Sequence, residues 1–203
     1  MVKKKDDTTE EIILAAARKV FISKGMAGAR MQDIANEAGM NKALLHYYFK
    51  NKEQLFETIF TKITQGFWEQ INAIFESDDE LFAKIRNFCA VYIDKIIQNP
   101  YIPLFVLYEM NQRPTGFVKK IFKSNPPQPA RFITQIETEI KAGNIRPVKP
   151  SQLLMNMISL CVLPFIARPM FLTVINIPEK AFNELMQQRK TEVPDFIINS
   201  IKK

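Results

Sequence analysis

Histidine and cysteine are scarce in this chain of 203 residues, which has one histidine, His46, and two cysteines, Cys89 and Cys161. A catalytic or metal-binding histidine needs a second ligand or an orienting partner. The sequence offers no other histidine, no cysteine near His46 and no nucleophile motif, so it argues against an enzyme and predicts no cofactor. Because a secreted chain of this size usually carries a denser cysteine framework, we expect both cysteines to be reduced core residues.

An export signal and an uninterrupted membrane-spanning run are also lacking. Residues 1–11 carry positive charge, but no apolar stretch of signal-peptide length follows them, and we therefore expect a cytoplasmic protein. Residues 153–175 are apolar for long enough to span a bilayer, but Asn156, Pro164 and Arg168 interrupt them. This segment instead predicts a buried helix pair with a proline break and no membrane partner.

What the chain does have is positive charge and enough apolar residues for a core. Its formal net charge is +7, and 47% of its residues are hydrophobic. This balance favours partners that carry phosphate. The basic run at residues 3–5 has two interpretations, a solvated tail or an arm that contacts the DNA backbone, and a tail is the usual fate of a short charge run.

Helical periodicity extends over most of the chain and predicts an all-α fold. Near the N-terminus it predicts a first helix over residues 9–24 and a second over residues 31–38, which ends before Gly39. Asn41 is then expected to cap a third helix, and Asn51 a fourth. Two short helices joined by a tight turn containing glycine are typical of the helix-turn-helix motif.

The two faces of this motif differ in composition. The inner positions are apolar: Ile34, Ala35, Ala38, Met40, Leu45 and Phe49. The outward face of the third helix combines hydrogen-bond donors, a small residue and flat rings: Asn41, Lys42, Ala43, His46 and Tyr47. Such a face suits a groove edge and the flanking phosphates. We interpret His46 as a DNA contact, and the alternative is a histidine packed sideways on its own helix.

Residues 11–56, with the stretches ILAAARKVFISKG, DIANEAGM and LHYYFKNKEQL, resemble the N-terminal DNA-binding domain of TetR-family transcriptional regulators. The resemblance covers about the first third of the chain. It implies an all-helical homodimer whose C-terminal domain binds a small molecule, which releases the paired N-terminal domains from an operator. The implied partners are double-stranded DNA, a second copy of the chain and an effector of unknown identity.

Carried over to this chain, the resemblance assigns ten positions to the DNA. They are Arg30, Gln32, Asn41, Lys42, Ala43, Leu44, His46, Tyr47, Tyr48 and Lys52. Arg30 stands where the family usually has a hydroxyl residue that caps the second helix, and Ala43 replaces a glycine. Leu44 replaces a frequent threonine, and His46 stands where tyrosine is most common. These departures affect base preference more than entry into the groove.

The remainder of the chain predicts a second helical domain. We expect a helix-turn-helix domain over residues 8–54 and a helical ligand-binding and dimerisation bundle over residues 55–203. Large, adaptable side chains of the second domain are candidates to line a pocket for an apolar or aromatic effector. They are Trp68, Phe88, Tyr92, Tyr101, Phe105, Tyr108, Met157, Cys161 and Phe165. The alternative for each of them is ordinary core.

The resemblance also implies that two apolar helices, over residues 151–164 and 179–201, pair with their symmetry mates in the dimer. The apolar residues of the last helix are Phe182, Leu185, Met186, Val193, Phe196, Ile197 and Ile201. The sequence thus predicts a dimeric, ligand-responsive repressor that binds a palindromic operator. The alternative is a small-molecule-binding helical protein or enzyme whose N-terminal module serves protein docking.

Overall fold

The computed structural model describes residues 7–112 and 126–203. The basic run at residues 3–5 lies outside them. The described residues form helices joined by short connections, with one isolated antiparallel bridge between Ile145 and Lys202, so the all-α prediction is confirmed. The helices are α1 (Asp7–Gly28), α2 (Met31–Glu37), α3 (Lys42–Tyr48), α4 (Lys52–Glu76), α5 (Leu81–Gln98), α6 (Ile102–Gln112), α7 (Ala130–Lys141), α8 (Pro150–Ile166), α9 (Arg168–Thr173) and α10 (Glu179–Ile201).

The chain divides into two compact units, Met1–Gln65 and Gly66–Lys203. The boundary predicted from the sequence, between residues 54 and 55, falls in the first turn of α4. That domain assignment stays a prediction.

The first unit is built around a small apolar core supplied by all of its helices. Phe21 of α1 meets Phe56 of α4 edge to face, with ring centroids 5.1 Å apart. Ile34 and Leu45, both fully buried, fix α2 against α3. Gly25 interrupts α1 with a φ of 66°, a backbone conformation that glycine adopts without steric cost.

The second unit buries the inner faces of α5, α7, α8 and α10 in one core. The rings of Phe88 on α5 and Phe132 on α7 both stack on Phe75 at the end of α4. Cys89 and Cys161 are buried and free, as the sequence predicted.

The apolar segment 153–175 forms α8 and α9, which separate at Ala167. The predicted break is therefore present, but it follows Pro164, which lies inside α8. The prediction that both helices are buried is wrong for α9, which has no buried residue. Within the described part of the chain, no helix combines the length and the apolar character that crossing a membrane requires.

Candidate nucleic-acid interface

The turn between α2 and α3 is held by hydrogen bonds at both of its ends. The N–H of Met40 donates to the carbonyl of Ala35 at 3.0 Å, and Gly39 between the helices has a φ of 64°. Asn41 caps α3 through its Oδ1, which accepts from the N–H of Leu44 at 2.8 Å. Because both ends are fixed, the outward face of α3 has a defined direction within this unit.

The start of α2 has no hydroxyl cap, because a guanidinium at Arg30 cannot accept a hydrogen bond. Instead, the N–H of Arg30 donates to Oδ2 of Asp33 at 3.3 Å, and Nζ of Lys24 lies 3.0 Å from the same oxygen. The hydrogen bond from Lys24 lowers the pKa of the Asp33 carboxyl. Asp33 thus replaces the missing cap and ties α2 to α1, while the Arg30 side chain stays exposed.

Four residues predicted to contact DNA lie together on the exposed face of α3. They are Lys42, Ala43, His46 and Tyr47. Leu44 of α3 is also exposed, at 40% of its surface. On α2, Gln32 is exposed as well, and its Nε2 donates to Oδ1 of Asn36 at 2.9 Å. The motif thus presents charged, aromatic and amide groups on one short helix and its neighbour.

Tyr48 differs from its neighbours because its side chain is 7% exposed. Its ring packs edge to face against Tyr47, with centroids 5.4 Å apart. Tyr47 itself is 51% exposed. In this arrangement Tyr48 supports the orientation of Tyr47, and a phosphate contact of its own stays a prediction.

Lys52 and His46 both make hydrogen bonds to the backbone of the first unit. Nζ of Lys52 donates to the carbonyls of Met26 at 2.9 Å and Ala29 at 3.3 Å. Nδ1 of His46 lies 3.1 Å from the carbonyl of Lys50. Lys50, an exposed cation between α3 and α4, was not predicted to belong to this surface. Its position between two helix ends was the signal that could have indicated it.

The residues predicted to line an effector pocket are mostly interior. Phe88, Met157 and Cys161 are buried within the core of the second unit, and Trp68 and Tyr92 pack against that core. Tyr101, Phe105 and Phe165 are also buried, whereas Tyr108 is 59% exposed. Burial raises the pKa of the Tyr92 hydroxyl, and the buried ammonium of Lys84 donates to the carbonyl of Phe75 at 3.1 Å.

Two clefts of the second unit are lined by other residues. One lies among Glu80, Leu81, Phe82, Glu139, Asn144 and Ile145, and the other lies at α8, α9 and α10. Neither is lined by a member of the predicted set, whose role in ligand binding stays a prediction. Among the described residues, no group of three His, Cys, Asp or Glu side chains is arranged to hold a metal ion.

The capped helix pair and the exposed face of α3 define a helix-turn-helix DNA-binding protein. The family profile for bacterial regulatory proteins of the tetR family matches residues 13–59, which include α2, α3 and the start of α4. Over this region the chain is similar to transcriptional regulators of the TetR family.

Similar proteins carry the names of regulators. The HTH-type transcriptional repressor NicS of Pseudomonas putida is 39% identical over 61 residues, which is 30% of this chain and only 29% of that repressor. An uncharacterized HTH-type transcriptional regulator of Bacillus subtilis, YhgD, is 27% identical over 70% of this chain and 74% of its own length.

Solved structures show the same fold over nearly the whole chain. The ketosteroid transcriptional regulator KstR2 of Mycobacterium tuberculosis has a TM-score of 0.69 at 15% identity, with all of both chains covered. HlyIIR, a hemolysin II transcriptional regulator, has a TM-score of 0.61 at 21% identity, covering 97% of this chain and 98% of its own. At such identities the likeness concerns the fold alone.

Proposed function

We propose that this chain is a ligand-responsive repressor that binds a palindromic operator as a homodimer and is released by a small apolar or aromatic effector. The proposed binding to operator DNA is supported mainly by the outward face of α3. Lys42, His46 and Tyr47 are exposed there on a helix fixed by caps and by a buried core. Lysine side chains of this kind position a protein on phosphates, and side chains in the groove discriminate bases.

The first experiment is a mobility shift with the protein and the DNA upstream of its own gene. We expect a discrete complex that survives an excess of nonspecific competitor. Tyr47→Ala should weaken this complex, whereas Tyr108→Ala, which removes an equally exposed tyrosine from α6, should leave it unchanged. A shift that competitor removes, or an equal effect of both substitutions, would argue against α3 as the reading helix.

The proposed homodimer is supported by exposed apolar residues on α8 and α10. Met155 and Leu163 on α8 are more than half exposed, and Phe196 on α10 is 67% exposed. Leu185 and Phe196 are eleven residues apart, about three helical turns, and so share one face of α10. Apolar groups left exposed on neighbouring helices are typical of a surface that a second copy covers.

Most of the apolar residues predicted to form this interface belong instead to the core of the second unit. Five of the seven on α10, including Met186 and Ile197, are buried in the core of their own chain. Only Leu185 and Phe196 remain exposed. The proposed interface on α10 is therefore narrower than the sequence predicted.

Effector release is supported by the largely apolar and aromatic interior of the second unit. Rings and thioethers of this kind adapt to apolar ligands. The test is to add candidate aromatic compounds to the operator complex and to identify, by mass spectrometry, any molecule that copurifies with the protein. Loss of the shift upon addition of one compound, with free operator recovered, is the expected outcome.

A further inference from the structure

The cleft at α8, α9 and α10, which we call the Arg189 cleft, is a cavity on the surface of the second unit. It is lined by Pro164, Phe171, Ile177, Phe182, Leu185, Met186, Gln188, Arg189 and Glu192. Its volume of about 420 Å³ falls in the range of roughly 300 to 1,000 Å³ that holds small organic ligands. The exposure of Leu185, Gln188 and Glu192 leaves it open on one side.

Arg189 is held in this cleft by a defect in α8. Pro164 has no N–H, so the carbonyl of Leu160, four residues earlier, lacks its helical donor. Nη2 of Arg189 donates to that carbonyl at 2.6 Å. This bond holds the guanidinium at the wall of the cleft.

The charge of Arg189 has no counter-ion within the described residues. Its Nε is buried without a hydrogen-bond partner there, and no carboxylate oxygen of those residues lies within 4.0 Å of its guanidinium. Burial lowers the pKa of Arg189, but a guanidinium stays protonated in proteins. A partly buried cation with an unused donor is costly unless an anion binds it.

The other charged groups around the cleft leave this cation available. Arg168 lies over the ring of Phe182, 5.7 Å from its centroid, and pairs with Glu179 at 2.5 Å. Glu192 is exposed and lines the cleft with Gln188. A carboxylate there disfavours a ligand with several negative charges, so one buried negative group is the best match.

The rest of the wall is apolar and partly aromatic. The rings of Phe171 and Phe182 have centroids 6.2 Å apart, and Met186 and Ile177 complete this side. Such a surface gains free energy when it covers an apolar body. It offers nothing comparable to a polar ligand such as a sugar.

We propose that the Arg189 cleft binds an organic monocarboxylate with an aromatic or alkyl body, with its carboxylate on Arg189. This goes beyond the proposed function, since it assigns a site and a ligand class separate from the aromatic interior around Phe88. The proposed occupant is a small molecule, because the cleft has the volume of a small-molecule site and its single cation matches one carboxylate.

The test uses the full chain without DNA and two probes of the same skeleton, phenylbutyrate and phenylbutanol, in isothermal titration. We expect phenylbutyrate to bind about tenfold or more tightly than phenylbutanol, the scale of one charge-assisted hydrogen bond. Arg189→Met should abolish this preference, and Arg189→Lys should keep part of it. Arg146→Met, which removes an exposed arginine outside the cleft, should leave it intact.

A second variant covers the case in which Arg189→Met fails to fold. Gln188→Glu adds a negative charge at the exposed side of the cleft with almost no change in side-chain shape, so it should weaken phenylbutyrate at least several-fold more than phenylbutanol. Equal affinity for both probes, no binding of either at millimolar concentration, or a preference unaffected by these variants would overturn the proposal. So would binding of phenylbutyrate to a monomeric Phe196→Glu variant but not to the dimer, because the second copy would then occupy the cleft. Because no DNA is present in this assay, a negative result would not contradict the proposed operator binding. Loss of operator binding would likewise not contradict ligand binding in the Arg189 cleft.

Discussion

Two lysines flank the third helix, and their surroundings give them different roles. Lys42 is exposed at the start of α3. Lys52 directs its ammonium group to the carbonyls of Met26 and Ala29, between α1 and α2. An ammonium has three N–H donors, so these two bonds leave one for a phosphate. We therefore predict that Lys52 acts both in the fold of the unit and at a phosphate.

Substitution of each lysine by alanine should separate the two roles. Lys42→Ala should leave stability unchanged and reduce the slope of log affinity against log salt by about 0.9, the value of one lost phosphate contact. Lys52→Ala should lower the free energy of unfolding by about 1 to 3 kcal/mol, because two hydrogen bonds from a charged group are lost. Urea unfolding and salt-dependent binding measure the two effects. Equal unfolding midpoints for wild type and Lys52→Ala would contradict the structural role.

His46 has its ring orientation fixed by a backbone carbonyl. The oxygen of Lys50 can only accept, so Nδ1 of His46 must carry the hydrogen in their 3.1 Å contact. In the neutral ring, Nε2 is then an acceptor and has nothing to donate to a phosphate. Only the protonated ring donates from Nε2, so a phosphate contact through this atom requires proton uptake.

His46→Tyr should keep operator binding, because a phenol also donates a hydrogen bond. His46→Ala should bind about 1 to 3 kcal/mol more weakly, the scale of a lost charge-assisted bond. Fluorescence anisotropy with the operator measures both affinities, and equal affinity of wild type and His46→Ala would rule out the contact.

For single residues, the sequence predicted which side chains are exposed better than it predicted their hydrogen-bond partners. Helical spacing placed Lys42, His46 and Tyr47 outward, which the structure confirms. It did not predict that Tyr48 is buried or that Lys52 binds two carbonyls. The acceptors of Lys52 lie more than twenty residues away, and no local pattern encodes such a partner.

Among the elements, α3 depends most on its cap, since it spans only Lys42–Tyr48. Isolated helices of this length are unstable, so the cap and the core must hold it. The Oδ1 atom of Asn41 is committed to the N–H of Leu44. Its predicted contact with DNA is left to the other groups of the residue.

Two substitutions of Asn41 should distinguish capping from DNA contact. Asn41→Ala removes the cap and should cost about 1 kcal/mol of stability, whereas Asn41→Asp preserves it. Asn41→Asp should nevertheless weaken operator binding, because it places a negative charge beside the phosphates. Thermal unfolding and mobility shifts on both variants check this. Asn41→Asp with full operator affinity would show that the side chain is far from the DNA.

Helix positions followed closely from the sequence because their ends carry local signals. The last helix was predicted over residues 179–201 and is observed as Glu179–Ile201, and the second was predicted over residues 31–38 and is observed as Met31–Glu37. The Arg189 cleft was not predicted. It depends on a bond between Arg189 and Leu160, which lie on different helices, and on α9, whose six residues are too few for periodicity to indicate.

For the whole molecule, the central question is how two copies place two recognition helices. Half-sites of a palindromic operator lie about 34 to 36 Å apart or at multiples of that spacing, so paired binding requires a fixed dimer. The apolar residues that remain exposed on α8 and α10 are the candidates for that contact. Neighbouring positions on α10 have opposite environments, with Phe196 67% exposed and Ile197 2% exposed.

This contrast gives a matched test of the dimer. Phe196→Glu should leave each chain folded, because surface substitutions usually change stability by less than about 0.5 kcal/mol. It should produce a monomer that has lost tight operator binding. Ile197→Glu should instead unfold the second unit, because it buries an unpaired charge in the core. Leu104→Glu, at a position on α6 that is 51% exposed, is the control and should remain dimeric. Sedimentation velocity and circular dichroism measure assembly and fold separately. A folded Phe196→Glu variant that still sediments as a dimer would place the interface elsewhere.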